Sequence, residues 1–214
     1  MLTAKEVMKI SPIIPVLTIH DASMAVKLAH ALQKGGINIM EITLRTKEAL
    51  NAIENVSREL PSMVVGAGTV LNTKQFKQVK DAGAKFVISP GITVSLLDYS
   101  QDLGICFIPG VASASEIILG MEYGLDCFKL FPANIVGGQK ALKAFSGPFT
   151  GVSFCPTGGV NLENLNEYYS LKNVLCVGGT WICPQDLLNS GDFEGITQLC
   201  KDALDQLEKG EKGE

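Results

Sequence analysis

Apolar residues recur in short, nearly continuous runs at 13–19, 37–44, 63–70, 86–91, 106–111, 127–133, 152–159 and 174–181, eight runs in all. Val, Ile and Phe dominate them, which is the composition of strands buried on both faces. Between the runs the apolar spacing changes to three and four residues, as at 23–34, 47–60, 73–82, 114–123 and 162–169, and predicts helices. Asp21, Thr46, Asn72, Thr93, Ser113 and Asn161 stand where N-caps belong, and the pair Gly35-Gly36 closes the first helix.

Strand and helix alternation with apolar strands requires a parallel sheet covered by helices. Eight repeats in 214 residues suit an α/β fold of the closed (β/α)8 (TIM) barrel kind near its minimum length, a single domain over 1–207. The competing architecture is an open doubly wound sheet. It is disfavoured because no Gly-x-Gly-x-x-Gly turn follows the first strand and the glycines gather after the last two. Residues 3–9 predict a short helix capping the barrel bottom, and 208–214 read as a solvated C-terminal tail.

Within that frame, polar positions inside strands become the candidates for chemistry. The two-residue period of 39–45 puts Glu41, Thr43 and Arg45 on one face and Met40, Ile42 and Leu44 on the other. The apolar set belongs against the helices, so the polar set points into the barrel mouth. Lys129, between Phe128 and Leu130, points inward by the same logic. One reading is a structural ion pair with Glu41, an arrangement that returns little net stability. The other is a nucleophile, because an amine among apolar walls gives up its proton more readily than one in water and can then form a Schiff base. Glu41 would be the proton-transfer group and Arg45 the planar partner of a substrate carboxylate.

Two glycine pairs mark the other end of the site. Gly158-Gly159 follows the seventh strand and Gly178-Gly179 the eighth, the positions where barrels bind phosphate through bare backbone N–H groups. Gly-Ala-Gly-Thr-Val at 66–70 and Ser-Pro-Gly at 89–91 read equally well as core taper or as pocket floor, with Thr69 and Pro90 as wall contacts at strand ends.

The net charge of -4 and pI near 5.3 argue against a nucleic-acid binder, so any anionic ligand must be held by local groups. Only Arg45 and Arg58 among the 18 basic residues are arginines, which makes the place of each informative. Residues 1–9 lack a signal-peptide core and no apolar run reaches the roughly 18 residues of a membrane span, so the chain reads as soluble and cytoplasmic. The six cysteines show no Cys-x-x-Cys spacing and read as small buried apolar residues, with no metal site. His20 and His30 stand alone as surface or packing residues.

Taken in chain order, a set of motifs then resembles one family. They are Glu-Ile-Thr-Leu-Arg-Thr at 41–46, Gly-Ala-Gly-Thr-Val at 66–70, Ile-Ser-Pro-Gly at 88–91, Ile-Pro-Gly at 108–110, Phe-Lys-Leu-Phe-Pro-Ala at 128–133, Pro-Thr-Gly-Gly-Val at 156–160 and Gly-Gly-Thr-Trp at 178–181. The family is the 2-keto-3-deoxy-6-phosphogluconate (KDPG) aldolases, which often also cleave 2-keto-4-hydroxyglutarate (KHG). The resemblance implies a class I, metal-independent and cofactor-free aldolase on a (β/α)8 barrel, usually a homotrimer, acting on a small 2-keto acid. It places the Schiff-base lysine on Lys129, the acid/base glutamate on Glu41 and the carboxylate-binding arginine on Arg45. Thr43, Thr69, Pro90, Phe131 and Thr157 fall on the substrate pocket, and Gly158, Gly159, Gly178, Gly179 and Thr180 on the phosphate site. Members often carry serine where Thr180 stands; threonine keeps the hydroxyl and adds a methyl group. The alternatives are an aldolase for the galactonate analogue, a sugar-phosphate epimerase on the same barrel, and a ligand sensor without turnover.

Overall fold

A computed structural model of the chain describes residues 2–211. Strands β1 (Ile13–Leu17), β2 (Ile39–Thr43), β3 (Val64–Gly68), β4 (Phe86–Ile88) and β5 (Cys106–Ile108) lie in order, with β9 (Val177–Gly179) on the free side of β1. A second run holds β6 (Gly110–Val111), β7 (Cys127–Leu130) and β8 (Ser153–Pro156). All pairings are parallel. Between β5 and β6 lies Pro109, which has no N–H to give to a neighbour, so the expected strand at 106–111 appears in two pieces. Its carbonyl still accepts from the Lys129 N–H at 2.9 Å, and β7 is therefore held along the whole length. At the other seam the bridges Phe154↔Val174 and Thr157↔Gly178 join β8 to the β9 region. With β5 and β6 counted as one broken strand, eight strands close into the predicted barrel.

Helices α1 (Ala4–Met8), α2 (Ala25–Lys34), α3 (Ala49–Glu59), α4 (Thr73–Asp81), α5 (Val94–Leu103), α6 (Ala114–Glu122), α7 (Gly138–Phe145), α8 (Leu165–Tyr169), α9 (Gln185–Ser190) and α10 (Phe193–Glu211) surround it. Asn72, Thr93 and Ser113 cap α4, α5 and α6 through their side chains, and Ser113 with Glu116 forms a reciprocal capping box. Past α2, Gly36 adopts φ +90° and the Ile37 N–H returns to the Leu32 carbonyl at 2.9 Å, a left-handed closure that glycine makes without strain. The core between strands and helices is aromatic in two places. Phe76 of α4 meets Phe107 of β5 edge-on at 5.2 Å, and Phe154 of β8 stacks on Phe145 of α7 at 6.0 Å. Helix α1, with Val7 and Met8 buried, packs against β5. Lys5 shares a cavity with 151–153, the residues leading into β8, so α1 closes the N-terminal end of the barrel as expected.

Several boundaries differ from the sequence expectation. Thr46 does not cap α3: its hydroxyl donates to the Ile19 carbonyl and ties two mouth loops together, and α3 starts later, after Glu48. Asn161 pairs reciprocally with Asn164, Oδ1 of each accepting the other's N–H, which caps a turn three residues ahead of α8. Helix α10 runs to Glu211, so 208–211 continue a helix instead of opening a tail; 212–214 lie outside the described residues.

Candidate active site

Two strands on opposite sides of the barrel bring the candidate pair together. Glu41 sits on β2 between Val16 of β1 and Gly66 of β3; Lys129 sits on β7 between Gly110 of β6 and Cys155 of β8. Lys129 Nζ lies 3.2 Å from Glu41 Oε1, and the two residues are 5% and 1% exposed. The ammonium also stands 5.3 Å from the Phe131 ring centroid, within reach of its π face. The inward orientation deduced from the two-residue period holds for both partners.

Absent side chains make the room. A Cβ on Gly68 would lie 2.7 Å from Glu41 Cδ and would overlap Oε1, so the carboxylate occupies the volume that any other residue at 68 would fill. Gly110, next to Lys129, lets the backbone approach the carbonyls of Ser89 and Pro90 more closely than a side chain would allow. Part of the wall around the pair is therefore glycine backbone. Gly68 reads equally as core taper or pocket floor in the sequence; in the structure the Glu41 carboxylate rests on it.

The remaining candidates gather at the C-terminal ends of the strands. Thr43 is buried and its hydroxyl donates to the Leu17 carbonyl at 2.8 Å, with Thr18 Oγ1 at 3.3 Å. Thr18 was hidden inside the apolar run 13–19; its place two residues beyond inward-facing Val16 is the clue that could have found it. Arg45 is not a strand residue: β2 ends at Thr43, the Arg45 N–H turns back to the Thr43 carbonyl at 2.8 Å, and the residue is exposed. Its guanidinium makes no hydrogen bond or ion pair among the described residues, which leaves it free for a ligand.

Thr69 has φ +59°, a left-handed conformation costly for a β-branched residue. Pro90 and Phe131 are half-buried near the same mouth. Thr157 is buried with its Oγ1 filling the space that a side chain on Gly178 would need. Gly158 and Gly159 have φ +96° and +82°, and neither N–H finds an acceptor in the backbone ladder. The Ala133 and Asn134 N–H groups bond to the Thr157 and Gly158 carbonyls at 2.8 and 3.0 Å, so the loops after β7 and β8 move as one. Gly178 and Gly179 lie within β9 rather than after it, and exposed Thr180 follows.

The six cysteines are unbridged and buried. Burial pushes the Cys106, Cys127 and Cys200 thiols up to about 12 and raises Cys176 and Cys183 as well. His20 and His30 are exposed. Among the described residues, no group of three or more His, Cys, Asp or Glu could hold a metal ion, and no helix is long and apolar enough to cross a membrane.

A parallel barrel with a sealed lysine–carboxylate pair, a free arginine at the mouth, a glycine loop after β8 and a glycine pair at the end of β9 is the construction of a lyase that works through an amine. The comparison with known proteins narrows this class. The chain belongs to the KDPG and KHG aldolase family, whose sequence model matches residues 4–199. It is 46% identical to the KHG/KDPG aldolase of Escherichia coli over 95% of each chain. With the 2-dehydro-3-deoxy-phosphogluconate aldolase of Dickeya dadantii it shares 48% identity over 94% of this chain and 95% of that one. The crystal structure of the KDPG aldolase of Legionella pneumophila, in which pyruvate is captured at low pH as a covalent carbinolamine, superposes with a TM-score of 0.93. That comparison has 46% identity and covers 94% and 98% of the two chains.

Proposed function

We propose that this chain is a class I aldolase that cleaves KDPG to pyruvate and glyceraldehyde 3-phosphate, and KHG to pyruvate and glyoxylate, through an imine on Lys129. The observation that carries the reading is the buried amine of Lys129 at 3.2 Å from Glu41 Oε1, with Gly68 under the carboxylate. The names of the relatives and the covalent pyruvate of the Legionella enzyme support the same chemistry.

Glu41 takes a proton from the Lys129 ammonium, and the neutral amine attacks the C2 ketone of the substrate. Glu41 returns that proton to the carbinolamine oxygen, which leaves as water, and the iminium that remains is the electron sink for the next step. Glu41, through a water, removes the C4 hydroxyl proton; the C3–C4 bond breaks, its electron pair moves into the iminium, and the aldehyde leaves. The enamine takes a proton at C3, and hydrolysis of the resulting imine releases pyruvate and restores the amine. Arg45 holds the carboxylate by its planar fork, and the backbone N–H groups of Gly158 and Gly159, with Gly178, Gly179 and Thr180 at the end of β9, hold the phosphate away from the reacting bond. Thr43, Thr69, Pro90, Phe131 and Thr157 form the pocket between them.

The setting that goes with this reading is a cytoplasmic homotrimer in the Entner–Doudoroff route. Six buried free thiols suit a reducing compartment, and exposed Val94, Ile118 and Met121 offer apolar surface for a subunit contact. The test is borohydride reduction of the protein with pyruvate, followed by peptide mapping. A reduced pyruvate adduct on Lys129 is expected; turnover without any adduct would replace the imine mechanism by proton shuttling of the epimerase kind.

A further inference from the structure

At the end of the barrel opposite the Lys129 mouth, α1, the end of α7 and the connection from α8 to β9 border an open cavity of about 600 Å³, with the three lysines around it exposed. It is lined by Lys5, Lys143 and Lys172 together with the hydroxyl residues Thr150, Ser153 and Ser170, and by no Asp or Glu. In a chain of net charge -4, three cations around one void without a facing carboxylate run against the overall balance. None of the three ammonium groups makes a hydrogen bond or ion pair among the described residues, whereas Lys77 bonds Asp81 and Lys80 bonds the Leu103 carbonyl. Ser153, at the start of β8, is 9% exposed, and its hydroxyl makes no hydrogen bond among the described residues.

Helix ends explain part of this. Lys143 is in the last turn of α7 and Lys172 follows α8, so each complements the carbonyl end of a helix. Lys5 is likewise in the last turn of α1, yet it comes from the opposite end of the sequence to face the same void. Three ammonium groups around a cavity repel one another until an anion enters. Lysines act as point charges with freely rotating donors, which suit the tetrahedral oxygens of a phosphate; the planar fork that favours a carboxylate is arginine, and neither Arg45 nor Arg58 is here.

We propose that this cavity binds a small molecule through a phosphate or diphosphate group, at a site separate from the one at the barrel mouth. Lys5, Lys143 and Lys172 supply the charge and Thr150, Ser153 and Ser170 the hydroxyl donors. Because β8 runs from Ser153 through Cys155, the neighbour of Lys129, to the Gly158 loop, one strand connects the two sites.

The test uses inorganic pyrophosphate titrated into the 15N-labelled full chain. Amides of 150–153 and 170–173 should shift on one saturation curve and those of 158–159 on another. The double substitution Lys143→Gln with Lys172→Gln should weaken the first curve by about tenfold or more, the loss expected of two charge-assisted contacts. It should leave the second curve and aldol cleavage unchanged. Lys143→Arg with Lys172→Arg keeps both charges and should keep the first curve. Shifts confined to 158–159 and 178–180, or a Gln variant that binds as tightly as the unaltered chain, overturn the proposal.

Discussion

Replacing Gly68 by alanine tests whether the empty volume on β3 sets the position of the Glu41 carboxylate. The new methyl would lie 2.7 Å from Glu41 Cδ and 2.8 Å from Cγ. Relaxed carbon contacts are about 3.5–4.0 Å, so the carboxyl must retreat by about 1 Å. The backbone of Glu41 cannot follow, because the ladders to Val16 and Gly66 hold it. The side chain therefore swings away from Lys129 Nζ, and the 3.2 Å contact opens. A displacement of that size at an acid/base group lowers kcat by about 10²-fold, or about 2.7 kcal/mol of barrier. Overpacking also costs about 1–3 kcal/mol of stability. Gly66→Ala is the control: it lies two residues earlier on the same strand, but its Cβ would meet the Phe86 ring rather than Glu41. It should lose comparable stability in urea and keep kcat per folded molecule. Steady-state cleavage followed by pyruvate release, with urea unfolding of both variants, separates the two effects. A folded Gly68→Ala enzyme with kcat within about twofold of the unaltered chain would refute the reasoning, as would equal losses of kcat in both variants.

Glu41→Gln keeps the shape but removes the charge and the proton acceptor, so turnover should fall by about 10²–10⁴-fold while borohydride still traps pyruvate; an unchanged rate would remove its acid/base role. Arg45→Lys keeps the charge without the fork, and KM for the 2-keto acid should rise more than kcat falls; an equal KM counts against the carboxylate contact. Thr69→Gly relieves about 1–3 kcal/mol of backbone strain against about 0.5–1 kcal/mol of glycine entropy. The variant should unfold at higher urea yet turn over more slowly, and a lower urea midpoint would show that φ +59° is not strained in this setting. Burial raises the Cys200 thiol from 9.0 to about 12. Above pH 9 the unfolded chain has lost a proton that the folded chain keeps, so stability falls as pH rises, by about 1.4 kcal/mol per unit until the folded thiol also ionises near 12. Cys200→Ala should show a shallower alkaline slope, and identical slopes would exclude this thiol as a cause.

The barrel was legible because strands buried on both faces leave an apolar run wherever they occur, and all eight runs contain strand. The ends were not, since the runs continue past the last ladder bond: Leu44 and Arg45 extend the pattern of β2 but already lie in a turn. Pro109 announces a missing donor, yet whether the strand stops or merely breaks depends on Lys129 finding the Pro109 carbonyl across the seam. Thr46 has the residue type and position of a cap, and only the proximity of Ile19, from another loop, diverts its hydroxyl. Lys129 and Glu41 could be read as inward because period two fixes a face. Their meeting is a contact between residues 88 positions apart, and no local pattern contains it. The cation-lined cavity at the barrel bottom escaped for the same reason, with its lysines drawn from α1, α7 and the end of α8.

The inside of the barrel and the layer outside it serve different ends. Outside, Phe76, Phe128 and Phe154 are fully buried, and large apolar side chains of this kind contribute about 1.5–3 kcal/mol each. Inside, β3 and β6 carry glycine at 66, 68 and 110, residues that weaken a strand and bury little apolar surface. A buried ion pair adds little net stability to that interior, and the left-handed Thr69 subtracts from it. The outer layer must therefore hold the fold while the upper interior carries one amine and one carboxylate. Substitutions that crowd Glu41, as at Gly68, should consequently damage turnover before they unfold the protein, whereas those that crowd Phe86 from Gly66 or break the Phe76–Phe107 or Phe145–Phe154 contacts should do the reverse.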